Sequence, residues 1–210
     1  MTPEPSGPVA FLTFNGNAND QSGNGNHGTL VGGATAAGEL VVVGTTDYLL
    51  LPSTVMDGLG DFTFAAWLRI DTFRGTWHQI LSGANAVEDN VVALWYYEVE
   101  GRWRARINDV DAVFQADGAM DDGLWHHVAL TRTGTSGRLY VDGVAVGSSV
   151  AMLGDTLEID AGGLIFGQDQ DALGGNFGAD DAWDGSMDNL RIFDRALSAA
   201  EIQTLAGEAR

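Results

Sequence analysis

Short apolar runs broken by glycine and polar clusters recur along almost the whole chain. Those that read as strands are Val9–Phe14, Glu39–Val43, Tyr48–Leu51, Phe62–Ile70, Trp77–Ser82, Asn90–Val99, Arg102–Ile107, His126–Arg132, Gly137–Val141, Gly163–Phe166 and Ser186–Phe193. Phe62–Ile70 alternates imperfectly, as expected of a strand buried on one face and half covered on the other. Arg102–Ile107 alternates cleanly, with arginines on one face and apolar residues on the other. Asp142-Gly143 between two apolar runs is a strong hairpin signal. Helical pattern is confined to Asp194–Leu205, where Ser198 and Glu201 have the spacing of a capping box. Many short strands and one terminal helix predict an all-β fold of two packed antiparallel sheets. Asn15–Gly28 has neither period; its side chains are nearly all oxygen-bearing, and it reads as a loop.

Composition sharpens this picture. The chain has 210 residues, 45% of them hydrophobic, which suits one β sandwich with a full core. Glycine is frequent (29) and proline rare (4), in keeping with many tight turns. Residues 1–7 read as a linker remnant and 8–210 as one domain, so the chain is expected to be a module of a larger multidomain protein. Against 29 acidic residues stand 10 basic ones, all arginine, for a net charge of -19. Such a surface repels nucleic acid and anionic membranes and suits a hard cation, which takes oxygen ligands. Solubility alone is the other reading of the excess acid. No cysteine is present, so disulfides and thiolate chemistry are excluded. No stretch reaches the roughly 18 apolar residues of a membrane span, and no direct membrane insertion is expected.

Three pieces together resemble the laminin-G-like/concanavalin-A-like jelly rolls. They are Asn17-Ala-Asn-Asp-Gln-Ser-Gly-Asn-Gly-Asn-His-Gly-Thr-Leu, Trp125-His-His-Val-Ala-Leu-Thr-Arg with Leu139-Tyr-Val-Asp-Gly, and Gly185-Ser-Met-Asp-Asn-Leu-Arg-Ile-Phe-Asp-Arg-Ala-Leu-Ser. The resemblance covers nearly the whole chain and implies a two-sheet antiparallel jelly-roll sandwich. Within it, Leu164-Ile-Phe-Gly-Gln-Asp-Gln-Asp-Ala-Leu-Gly-Gly-Asn-Phe resembles the calcium loop of the pentraxins, and Glu88-Asp-Asn-Val-Val-Ala-Leu-Trp95 resembles the strand that supplies their other ligands. The resemblance implies a first Ca2+ held by Asp89, Asn90, Asp169, the carbonyl of Gln170, and Asp171. A second ion would share Asp169 and Asp171 and need two further positions. One falls on Gly178, which has no side chain, and the other on Asp181, with Asp180 or Asp184 as substitutes. The disulfide positions of that family fall on Ala65 and Ala129, so both halves of the bridge are missing together.

The chemistry is consistent without the resemblance. Calcium takes six to eight oxygens in loose geometry, and a Gln-Asp-Gln-Asp loop closed by Gly174-Gly175 can supply several. Trp95 is expected beside the ion as a pocket aromatic, Trp183 as a second wall, and Asp180 with them in the ligand-binding set. A ring there suits the apolar face of a sugar or, by cation–π attraction, a quaternary ammonium. A core role is the alternative for both tryptophans. Asn19, Asp20 and Asn24, with Asp188 reaching across from the closing strand, form a possible structural metal site; an Asx-turn loop without an ion is the alternative.

Enzyme signatures are missing. Glu158-Ile-Asp160 resembles the start of a glycosidase motif, but glycine and alanine stand where its second glutamate belongs, and it reads as a strand edge. No Gly-x-Ser-x-Gly elbow, Walker loop or helical His-Glu-x-x-His is present. His126-His127 reads as one surface and one core histidine. The expectation is a non-enzymatic, calcium-dependent, carbohydrate-binding (lectin-like) module of a bacterial secreted or cell-surface adhesin, placed outside the cell. The alternatives are a calcium-stiffened structural or protein-binding domain, a phosphocholine-like ligand binder, and a glycoside hydrolase.

Overall fold

A computed structural model of the chain describes residues 7–72, 77–114, 120, 122–178 and 182–210. Among these, fifteen strands run in chain order. They are β1 (Ala10–Leu12), β2 (Thr29–Val31), β3 (Thr35–Ala36), β4 (Leu40–Val42), β5 (Tyr48–Leu51), β6 (Phe62–Ile70), β7 (Trp77–Gly83) and β8 (Val92–Tyr97). There follow β9 (Arg102–Ile107), β10 (Val110–Phe114), β11 (His126–Thr133), β12 (Ser136–Val141), β13 (Val144–Ala151), β14 (Leu164–Phe166) and β15 (Gly185–Phe193). One helix, α1 (Ala199–Ala206), closes the chain. The strands pair antiparallel in two sheets, ordered β13-β12-β11-β6-β15-β4-β3 and β10-β9-β8-β7-β14-β5-β2, with β1 also on β15. This is the jelly-roll sandwich of the concanavalin A-like fold.

Side-chain alternation decides what lies between the layers. Phe62, Phe64, Ala66 and Leu68 of β6 face the same core as Leu94, Trp103, Ala105 and Ile107 of the opposite sheet. The other face of β6 meets a smaller cluster in which Ala65, Ala129, Tyr140 and Phe193 lie under Leu197 and Ile202 of the helix segment. Ala65 and Ala129 are register partners on β6 and β11, so the two positions where a bridge is missing stand opposite each other and pack as alanine. His127 is the buried histidine of its pair, but on this helix-covered face, 5.6 Å from the Trp67 ring; His126 lies between Asp122 and Asp142 near the surface.

The local signals explain most joints. Asp142 and Gly143 both have positive φ, as a two-residue type I′ turn requires. Asn108 and Asp109 do the same between β9 and β10, a hairpin that the less familiar Asn-Asp pair concealed. Ser198 accepts from Glu201 N while Glu201 accepts from Ser198 N, a complete capping box. Glu158–Asp160 is not a strand edge: Ile159 is buried, and Asp160 accepts from Ala86 N at 2.8 Å, tying that segment to the loop before Asn90.

Candidate functional site

The segment after β14 sets the site, and its alternation is its mechanism. In Gln168-Asp169-Gln170-Asp171 the two glutamines are fully buried and the two aspartates are not. Gln168 donates to the carbonyl of Thr45. Gln170 Nε2 donates to Ser82 Oγ (3.1 Å) and to the Gly163 carbonyl (2.8 Å), while its Oε1 accepts from Gly174 N (2.9 Å). With both glutamines anchored inward, the two aspartates that follow them stand together on the outer side. Gly174 makes the return turn with φ +65°. Gly167 opens the loop with φ +92°, and a Cβ there would press on Val42 at 3.0 Å.

The aspartates meet a cavity of about 280 Å³ on the outer face of the seven-stranded sheet. Asn90, Asp169 and Asp171 stand on it together, with Trp95 and Gln79. The register explains the rest of its lining. Gln79 pairs with Trp95 and Trp95 with Arg104, so these three side chains share one face; Trp77 and Arg106 fall on that face by the same alternation. Trp77 stacks on Tyr97 at 4.0 Å and meets Trp95 edge-on at 5.9 Å. Arg104 lies over Trp77 (5.1 Å) and Arg106 over Trp95 (5.2 Å). Trp77, Gln79, Arg104 and Arg106 were not singled out from sequence. The arginine alternation in Arg102–Ile107 was visible; that it shares a face with Trp95 follows only from the strand register.

The expected calcium ligands are thus placed unequally. Asn90, Asp169 and Asp171 converge on the cavity from segments far apart in sequence. Asn90 comes just before β8 rather than within a strand, and its Nδ2 donates to Asp89 Oδ1 at 2.7 Å, leaving its own Oδ1 as acceptor. Gln170, expected to offer its carbonyl, has its side chain committed as the loop's anchor. Asp89 lies among Glu88 and Asp109, the three offering oxygens within 4.8 Å of one another. Burial, and then the hydrogen bond to Asp109, raise the Glu88 carboxyl above its ordinary range. The oxygens that Asn90, Asp169 and Asp171 bring to the cavity fit a hard divalent cation, whereas Asp89, with Glu88 and Asp109, does not line it. Asp180 and Asp181 lie outside the described residues, and Asp184 is buried at the foot of β15.

Two further sequence expectations look different in place. Trp183 is fully buried in the main core, edge-on to His78 at 6.0 Å, so it does not form a wall of the cavity. Its small and acidic neighbours suggested exposure; β7 packing against it overrides them. The early loop spends its oxygens on itself. Asp20 accepts from Phe11 N, Ser22 N, Ser22 Oγ and Asn26 N, between 2.7 and 2.9 Å. Burial opposes the charge on Asp20, but these four donors prevail and lower its pKa. Asn24 donates to the Val9 carbonyl, and Asn19 N caps onto Asn17. Asp188 faces a separate cavity with Glu39 and Arg210, where burial raises its pKa. The four residues do not form one donor set; the Asx-turn alternative describes the loop.

The family follows from comparison. Residues 43–203 match the family described as the concanavalin A-like lectin/glucanases superfamily. The chain belongs to that superfamily. This concanavalin A-like domain is similar to human pentraxin-4, with 34% identity over 169 residues, covering 77% of the chain but 34% of that protein. The domain therefore spans about a third of that relative's length. Among solved structures it resembles the native heptameric SAP-like pentraxin from Limulus polyphemus, with a TM-score of 0.64 and 22% identity over 72% of each chain. It also resembles domain 4 of AbnA, a GH43 extracellular arabinanase from Geobacillus stearothermophilus, in complex with arabinotriose. There the TM-score is 0.69 with 19% identity, over 97% of this chain and 100% of the other. Both likenesses establish the fold. No helix among the described residues is long and apolar enough to cross a membrane.

Proposed function

We propose that this domain is a calcium-dependent, carbohydrate-binding module acting outside the cell, as the binding part of a larger secreted or surface-attached adhesive protein. The observation that carries the reading is the meeting of Asn90, Asp169 and Asp171, from two distant segments, on one cavity beside Trp95. Calcium left with open coordination positions takes hydroxyl oxygens of a ligand. The kinship with pentraxins and the arabinotriose named in the arabinanase-domain complex support the reading. The test pairs titration calorimetry with a glycan screen run in calcium and in chelator. Calcium binding that is lost in Asp171→Asn, and glycan capture that chelator abolishes, are expected; glycan capture indifferent to chelator defeats the reading.

The fold neighbour from an arabinanase also favours testing a hydrolytic role. A glycosidase needs two carboxylates flanking the scissile bond. Asp169 and Asp171 are the acids on this cavity among the described residues, and we read them as metal ligands. Sustained release of reducing ends from arabinan in the presence of chelator would assign them to hydrolysis instead.

A further inference from the structure

We infer that the cavity selects a saccharide carrying an oxyanion, which Arg104 and Arg106 receive while the calcium holds neighbouring hydroxyls. The inference rests on the calcium reading above and goes beyond it to the class of ligand.

The aromatic faces decide first against a cationic ligand. A quaternary ammonium needs an open indole face. Here Arg106 already covers Trp95 and Arg104 already covers Trp77, while the stacked Tyr97 occupies the other contact of Trp77. Only 7% of Trp95 is exposed. An incoming ligand therefore meets guanidinium groups where bare ring was expected from sequence.

The arginines also keep donors in reserve. Arg106 Nε is bound to Asp111 at 2.6 Å, and one terminal nitrogen lies 3.6 Å from Asp109. Arg104 is held loosely, at 3.4 Å from Glu100 and 3.9 Å from Asp111, and its Nε has no hydrogen-bond partner among the described residues. A guanidinium has five N–H donors in a rigid fork, so each retains donors for a planar oxyanion.

Charge makes the preference conditional. Among the described residues, Arg104 and Arg106 stand on the cavity with Asp169 and Asp171, so positive charge there is matched by carboxylates before any metal binds, in a chain of net charge -19. One bound Ca2+ offsets Asp169 and Asp171, so the two guanidinium groups meet a ligand less countered than in the metal-free cavity. Anion preference therefore arises with the metal, and an acidic sugar and calcium should bind cooperatively. A carboxylate and a phosphate ester share this chemistry, and the choice of probes separates them.

The test uses the whole chain with four probes: galactose, galacturonate, galactose 6-phosphate and phosphocholine. Metal loading is followed separately by tryptophan-sensitised terbium luminescence. In calcium, galacturonate or galactose 6-phosphate should bind at least about tenfold more tightly than galactose, the size of one charge-assisted contact. Arg104→Gln and Arg106→Gln should each remove that margin while terbium loading persists. Arg104→Lys, which keeps the charge but not the fork, should retain part of it. The inference is overturned if the metal-loaded chain binds galactose as well as either acidic sugar, or binds neither acidic sugar. It is equally overturned if phosphocholine outcompetes galactose 6-phosphate, or if the glutamine variants keep the margin. A chain that loads no metal overturns the calcium reading, and this one with it.

Discussion

Replacing Gln170 with leucine removes the inward anchor of the Gln168–Asp171 loop without touching a carboxylate. Three hydrogen bonds go, to Ser82 Oγ, the Gly163 carbonyl and Gly174 N. Their losses are unequal. The Gly163 carbonyl keeps Ala84 N at 2.9 Å, and Gly174 is exposed enough for water to replace its acceptor. Ser82 Oγ, in a fully buried residue, loses its hydrogen-bond partner among the described side chains. At about 1 kcal/mol for each bond, plus ~1 to 2 kcal/mol for the stranded hydroxyl and less ~1 kcal/mol recovered by burying leucine, the domain should lose about 3 to 4 kcal/mol. Urea unfolding followed by tryptophan fluorescence in chelator measures this term free of metal binding. Calcium affinity by calorimetry should also fall, by about tenfold or more, because the metal must then order a loop that Gln170 no longer holds. A variant with unchanged stability in chelator refutes the anchoring argument, whatever its calcium affinity. Gln170→Glu is the control: it keeps the acceptor for Gly174 N, loses both donated bonds and buries a charge, so it should be at least as destabilised.

Other parts of the fold give equally direct outcomes. Burial first, and then the positive field of Arg191, lower the pKa of His127 from 6.5 to about 4. The unfolded chain takes up a proton that the folded one refuses, so this stability is complete above pH ~6.5 and is lost as pH falls toward 4, by about 3 kcal/mol in full. His127→Phe should flatten the urea midpoint against pH between 7 and 4.5; an unchanged slope refutes the assignment. Cysteines at both Ala65 and Ala129, directly opposed on β6 and β11, should bridge on oxidation and raise stability by up to ~4 kcal/mol, because they close a loop of roughly 64 residues. Failure to form the bridge on a non-reducing gel would count against the register. Ser198→Ala breaks the capping box and should cost ~1 kcal/mol. With the Ser198 hydroxyl gone, Glu201, held near 2 by Arg195 first and then by Ser198, should titrate higher by NMR.

The sequence carried much of this architecture because its strongest signals are local. Alternation in Arg102–Ile107, the Asp142-Gly143 turn and the Ser198–Glu201 box depend on residues within a few positions, and each is found in place. The Gln168–Asp171 segment was legible for the same reason, since its four residues are consecutive; that Asn90 meets it was not. What escaped depends on which strand lies beside which. Trp183 looked solvent-facing among alanine and aspartate until β7 and His78 closed over it. The oxygens of Asn15–Gly28 looked like ligands, yet composition does not say whether a carboxylate meets an ion or four N–H and O–H donors. The arginine floor needed the β8–β9 register before it could be joined to Trp95.

The order of the eight-stranded sheet bears on how the chain is made. Its central strand, β15, is the last to leave the ribosome, yet it pairs with β6, β4 and β1 at once. Until it emerges, β6 presents an open edge in the interior of the future sheet, and β1 has no partner in it. Unpaired edges recruit other chains, and pairings this distant in sequence form slowly. The nascent domain should therefore depend on chaperones until β15 is inserted, and a chain interrupted before Gly185 should aggregate rather than fold in part.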